Sequence, residues 1–105
     1  MTLALARSHA ASPVKTLPNG LQTVVVEDHA SPVVSLQIWV RCGGVNEKGP
    51  NSGVSHFLEH MIFKGTDKIS ANEISKIVES NGGSINAATA GETTHYYIDM
   101  PSNRW

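Results

Sequence analysis

The sequence predicts an α+β fold, an antiparallel-rich sheet with helices packed on one side. Three stretches carry that prediction. Val33–Arg41 alternates apolar and polar side chains for most of its length, the period of a strand with one covered face. Ser70-Ala71-Asn72-Glu73 reads as a capping box, and Ile74, Ile77 and Val78 behind it form an apolar stripe at helical spacing. Thr93–Met100, which holds His95, Tyr96 and Tyr97, reads as a further strand.

A chain of 105 residues makes one small domain with a modest core. Hydrophobic and charged fractions of 40% and 16% are globular values, without the bias of a disordered chain. The net charge of −1 argues against an electrostatic nucleic-acid footprint or a basic membrane-binding face. No apolar run approaches the length of a membrane span. Cys42 is the single cysteine, so no internal disulfide forms, and it is expected as a buried or half-buried thiol rather than a nucleophile.

Residues 1–20 are expected as an N-terminal tail. They hold no acidic residue and carry Arg7 and Lys15, a pattern shared with organellar transit peptides, but a frayed terminus is the favoured reading. Leu3–Ala6 is too short for a signal-peptide core. Pro18-Asn19-Gly20 is a turn signal, and the β-branched run Leu21–Asp28 reads as a strand that His29–Pro32 breaks. His29 is expected in a solvated loop. In the next strand Val34, Leu36, Ile38 and Val40 share one face, and Trp39 points to the other, toward a second layer. Gly43-Gly44 ends it, and Val45–Ser52 is a loop into a helix over Val54–Lys64, with Asn51 or Ser52 as its cap and Gly65 as its stop. The following helix starts at Ser70 as N-cap with Glu73 at N3, and Asn81-Gly82-Gly83 stops it. Glu73 and Glu79 are read as capping and surface charges. Ser84–Ala90 is short, small-residued and extended, and Gly91-Glu92 turns it into the last strand, where His95 is read as structural.

The helix over Val54–Lys64 carries the chemistry. His56 and His60 stand at i and i+4, which puts both imidazoles on one helix face a turn apart, where they can share a metal ion. Glu59 precedes His60 and flanks that face. Two neutral imidazoles suit zinc, and a carboxylate that is not a ligand can take a proton from a water. The order His-x-x-Glu-His reverses the commoner His-Glu-x-x-His and serves the same geometry. Such a pattern also arises in helices that hold no metal. Here Val54, Phe57, Leu58, Met61 and Ile62 cover much of the helix, so a buried helix is expected, on which three ionisable side chains need partners or a metal.

Gly53–Thr66 resembles the active-site helix of the M16 metallopeptidases, the inverzincin group of pitrilysin, insulin-degrading and mitochondrial-processing peptidases. The strand Val33–Arg41 with Gly43-Gly44, then Asn86-Ala87-Ala88-Thr89, then Tyr96-Tyr97, follow in that family's order, so the resemblance runs from about Leu21 to Trp105. It implies an M16 peptidase-like fold, related to the S-ribosylhomocysteine lyases, of which residues 21–105 are the N-terminal and incomplete part. It implies a zinc-dependent endopeptidase acting on peptides or unfolded segments, with His56 and His60 as zinc ligands and Glu59 as general base. On the residues alone, Asn86–Thr89 is either a strand passing close under the helix or an edge that pairs with an extended peptide. The resemblance implies the second, a substrate-binding strand of Asn86, Ala87, Ala88 and Thr89.

The third zinc ligand of that family is a Glu on a later helix, and the chain stops at Trp105 before it. Glu92 and Asp99 stand too early to match. The chain is therefore expected to be a piece of a longer protein, inactive by itself and completed by a second M16 half-domain or subunit. Two other readings stay open. One is a non-catalytic M16-fold subunit with a binding or scaffold role, against which the intact His56-Glu59-His60 set argues. The other is a lyase-type zinc enzyme, against which Met61–Thr66 argues. The residues leave the compartment open among cytoplasm, which is favoured, periplasm and mitochondrion.

Overall fold

The computed structural model describes residues 12–105, in two compact units that divide between Ser31 and Pro32. In the first, β1 (Lys15–Thr16) pairs antiparallel with β2 (Gln22–Thr23). Their turn is closed by Leu17 and Leu21 backbones and by Asn19, whose Oδ1 accepts from Leu21 N at 3.1 Å. The tail boundary expected at residue 20 thus falls inside a hairpin, and what was read from residues 1–11 lies outside the described residues. The strand expected over Leu21–Asp28 shortens to Gln22–Thr23. Val24, Val25 and Val26 are β-branched but belong to no sheet among the described residues, and composition without a ladder partner does not make a strand. His29 is exposed in its loop and meets Glu27 at 2.8 Å.

The second unit is an antiparallel sheet with two helices beside it. β3 (Val33–Val40), α1 (Val54–Ile62), α2 (Glu73–Ser80), β4 (Ser84–Thr89) and β5 (Thr94–Pro101) follow in that order. The sheet order is β3-β5-β4. The register pairs Leu36 with Ile98, Ile38 with Tyr96 and Trp39 with His95 on one side of β5, and Ile85 with Ile98, Ala87 with Tyr96 and Thr89 with Thr94 on the other. Directly paired residues share a face. One face therefore holds Leu36, Ile38, Thr94, Tyr96, Ile98, Ile85, Ala87 and Thr89, and burial along β4 alternates accordingly, with Ile85, Ala87 and Thr89 the covered set.

Both helices pack against β4, and α1 reaches β5 as well. The small core lies there: Val78 of α2 is 6% exposed and Thr94 of β5 is 4% exposed. The helices do not cover β3, so Leu36 and Ile38 stay exposed. On the opposite face Trp39 stacks on His95 at 4.4 Å, His95 lies 5.7 Å from Tyr97, and Trp39 Nε1 donates to Gln37 at 3.1 Å. His95, read as structural, takes part in that stack, and among the described residues Trp39 remains 60% exposed.

Two expectations about α1 are corrected. Its N-cap is Gly53, in the left-handed region at φ 90°, and no side chain of Asn51 or Ser52 caps it. It is also not buried: Phe57 is 62% exposed, and Ser55 is its one buried residue. Apolar residues lie on most of its circumference, and a single sheet can cover only one side. Gly65 does end the following turn, at φ 90°, where a Cβ would stand 2.3 Å from the Ile69 carbonyl oxygen. At α2, Ser70 and Glu73 meet as expected, with Ser70 N donating to Glu73 Oε2 at 3.0 Å and Ser70 Oγ at 2.7 Å. The helix itself begins later, with Asn72 as N-cap at φ 67°, so the hydroxyl donates to the carboxylate instead of capping N3. Cys42, expected buried or half-buried, is exposed, although its Sγ lies 3.6 Å from the Oγ of the buried Ser55 on α1.

Candidate active site

His56 and His60 lie on consecutive turns of α1, and their Nε2 atoms are 3.0 Å apart. The rings tilt at 59° with centroids 4.6 Å apart, so the nitrogens converge while the ring faces do not stack. A hydrogen bond at that distance requires a tautomer in which one Nε2 donates its proton and the other accepts. A cation that draws on both lone pairs replaces that proton directly. Two tetrahedral zinc ligands at about 2.0–2.1 Å stand about 3.3 Å apart, so the pair fits zinc after opening by a few tenths of an ångström. Among the described residues no cluster of three or more His, Cys, Asp or Glu stands at metal-holding distance.

Glu59 occupies the sheet-facing side of the same helix. Its Oε2 accepts a short hydrogen bond from Thr89 Oγ1 at the end of β4. Tyr96, beside Ala87 in the ladder, senses the same carboxylate: burial pushes its phenol pKa up, and the charge of Glu59 adds to the rise. The sheet thus brings Glu59, Thr89 and Tyr96 to one place, although they lie far apart in sequence.

The start of α1 is held from the preceding loop. Two 3-10 turns, Gly44–Asn46 and Gly49–Asn51, carry the chain from β3 to the helix. Between them Glu47 Oε1 accepts from Ser55 N at 2.6 Å and Oε2 accepts from Gly53 N at 2.5 Å. An anion at a helix N-terminus satisfies free N–H groups and complements the helix dipole. The Ser55 hydroxyl, then the Ser55 and Gly53 N–H groups, hold the Glu47 pKa below its ordinary value. The same loop is tied to the β4–β5 turn: Val45 N donates to Gly91 O at 2.8 Å and Gly44 N to Ala90 O at 3.3 Å. Gly43 is needed for that approach, since a Cβ on it would stand 2.3 Å from Ala90 O. Glu47, Gly53, His56, Thr89 and Gly91 line a cleft of about 370 Å³ along this seam.

The expected substrate strand, β4, is one of the two outer strands of the sheet. Antiparallel pairing turns alternate N–H groups outward. The outward N–H of Ala87 is taken by its neighbour's Asn86 Oδ1, at 2.9 Å. Asn86 and Ala88 lie on the exposed face, and Thr89 points to the helix instead. The structure therefore brings His56 and His60 together, and Glu59 with Thr89, and separates Thr89's side chain from those of Asn86 and Ala88. Glu47 was missed from sequence. Its one local signal is an acidic residue shortly before a glycine that opens a helix, which is too common to single it out.

Residues 22–104 match the profile of Insulinase (Peptidase family M16). A probable mitochondrial-processing peptidase subunit beta of Arabidopsis thaliana is 39% identical over 87 residues, 83% of this chain and 16% of that protein. The zinc protease YmxG of Bacillus subtilis is 40% identical over 85 residues, 81% of this chain and 19% of that protein. The crystal structure of a protease from Helicobacter pylori superposes with a TM-score of 0.80 at 36% identity, over 88% of this chain and 22% of that one. The chain spans less than a fifth of the length of the curated relatives named here. No helix among the described residues is long and apolar enough to cross a membrane. On this likeness, with the His56–His60 helix laid against an antiparallel sheet, the chain belongs to the M16 peptidase family.

Proposed function

We propose that the whole protein is a zinc-dependent endopeptidase that hydrolyses peptide bonds in peptides or unfolded segments. The observation that carries this reading is the convergence of His56 Nε2 and His60 Nε2 to 3.0 Å on a helix whose next carboxylate, Glu59, is held against the end of an outer strand. The names of the relatives, zinc protease and processing peptidase, support it. When bound, zinc supplies Lewis acidity, polarising a carbonyl and lowering the pKa of water. His56 and His60 hold it through neutral nitrogens. Glu59 takes the proton of the attacking water and passes it to the leaving amine. A peptide adds to β4, with its carbonyl replacing Asn86 Oδ1 on the Ala87 N–H.

We infer that the third zinc ligand lies outside these residues, since no third candidate stands with the two histidines among those described. This chain alone then hydrolyses poorly, and a second M16 half-domain or subunit completes the chamber. The test is peptide cleavage by the whole protein before and after chelation. Cleavage that stops on chelation and returns with zinc supports the reading, and cleavage indifferent to chelation refutes it.

A further inference from the structure

We propose that Thr89 is a positioning residue for Glu59, one that fixes the rotamer of the general base through a single committed proton. The inference rests on the peptidase reading above. Each threonine hydroxyl has one proton to give. Thr94, 4% exposed, gives its proton to the Cys42 carbonyl at 2.9 Å. Its oxygen stands 3.4 Å from Thr89 Oγ1 but has no proton left for it. Thr89 donates to Glu59 Oε2. Glu59 Oε1 takes no part in that bond and keeps both lone pairs for a water.

The anchor is stiff and the group it holds is not. Thr89 is β-branched, with a restricted χ1, and its backbone is locked in the ladder opposite Thr94. Thr94 is locked in turn to the segment after β3 through Cys42. Glu59 has three rotatable side-chain bonds, and ordering them costs entropy that a preformed hydrogen bond to a charged group offsets. The same residue closes the strand on which the peptide would lie, so the base and the substrate edge share one support. The side chain of Thr89 thereby acts through Glu59, while its backbone stays part of the strand on which the peptide would lie.

The test is made on the whole protein loaded with zinc, comparing Thr89→Val, Thr89→Ser and Glu59→Gln for zinc content, KM and kcat. The valine keeps the shape and β-branching and removes the proton donor. A misplaced catalytic group costs about 10- to 100-fold, so kcat for the valine variant is expected to fall by that factor with zinc content and KM unchanged, while serine keeps kcat within about threefold. A second readout uses metal-free protein: unfolding temperatures of Thr89→Val, Glu59→Ala and the double variant. Coupled residues are non-additive, so the double variant is expected to unfold no earlier than the less stable single one. Full kcat in Thr89→Val together with loss of cleavage in Glu59→Gln overturns the proposal and leaves the peptidase reading standing. Full cleavage in Glu59→Gln overturns both. Loss of zinc, or a serine variant as impaired as the valine one, shows a structural role and overturns the proposal. Should Thr89→Val not fold, Thr89→Ala carries the same comparison.

Discussion

Replacing Gly43 by alanine tests how the loop before the active helix is seated. The backbone of Gly43 is extended, at φ −167° and ψ −166°, which alanine adopts without strain, so the cost is one of space. The added Cβ would lie 2.3 Å from Ala90 O, 2.8 Å from Gly91 O and 2.9 Å from Thr93 N, all of them backbone atoms. Real Cβ contacts stay beyond 3.0 Å, so the two segments must part by at least 3.0 − 2.3 = 0.7 Å. Overpacking of this kind costs about 1–3 kcal/mol, and a domain of this size loses about 4–8 °C of Tm per kcal/mol. The displaced segments carry Glu47, which holds the start of α1, and lead to Thr89, which holds Glu59. Cleavage is therefore expected to fall by about tenfold or more alongside stability. Thermal unfolding by circular dichroism and kcat for one peptide measure the two effects. A Gly43→Ala protein with unchanged Tm and kcat would refute the close packing of this seam.

Other outcomes follow from the same structure. Val78→Ala removes two methyl groups from a residue that is 6% exposed, which at about 0.8 kcal/mol each plus a cavity term destabilises by about 2 kcal/mol, checked by urea unfolding. Glu47 has a folded pKa below its ordinary 4.5, so its contribution is present above that value and is lost as pH falls through the lower folded pKa. The Tm gap between the unchanged protein and Glu47→Gln is accordingly expected to be full at neutral pH and to close in acid. Ala87→Pro removes an N–H that faces away from β5, which an outer strand tolerates. If a peptide uses that donor, KM rises about two- to tenfold for one hydrogen bond lost, with the fold and zinc content unchanged.

Much of the fold was legible because its signals are local. Alternation along Val33–Val40, the apolar stripe of Ile74, Ile77 and Val78, and the glycines after each helix marked the elements of the second unit to within a few residues. The motif spacing alone put His56 and His60 on one helix face. What sequence left unread depends on tertiary neighbours. Val24–Val26 has strand composition but no partner to pair with among the described residues. The side chain that binds the first N–H groups of α1 is Glu47, from before the second 3-10 turn, rather than Asn51 or Ser52 beside the helix. Thr89 was read as part of a substrate strand, and only the folded sheet turns its hydroxyl to a carboxylate on α1. Local rules say where a helix starts, and the three-dimensional fold decides which side chain reaches its first turn.

The central claim is that His56 and His60 bind the metal while Glu59 moves the proton. Zinc content and peptide cleavage, measured together on the whole protein and on Glu59→Gln, His56→Ala and His60→Ala, test it most directly. The account predicts zinc bound by the unchanged protein and by Glu59→Gln, with cleavage reduced about 100-fold or more in the latter, and loss of both zinc and cleavage in each histidine variant. Undiminished cleavage by Glu59→Gln, or full zinc binding without His56 and without His60, would contradict it.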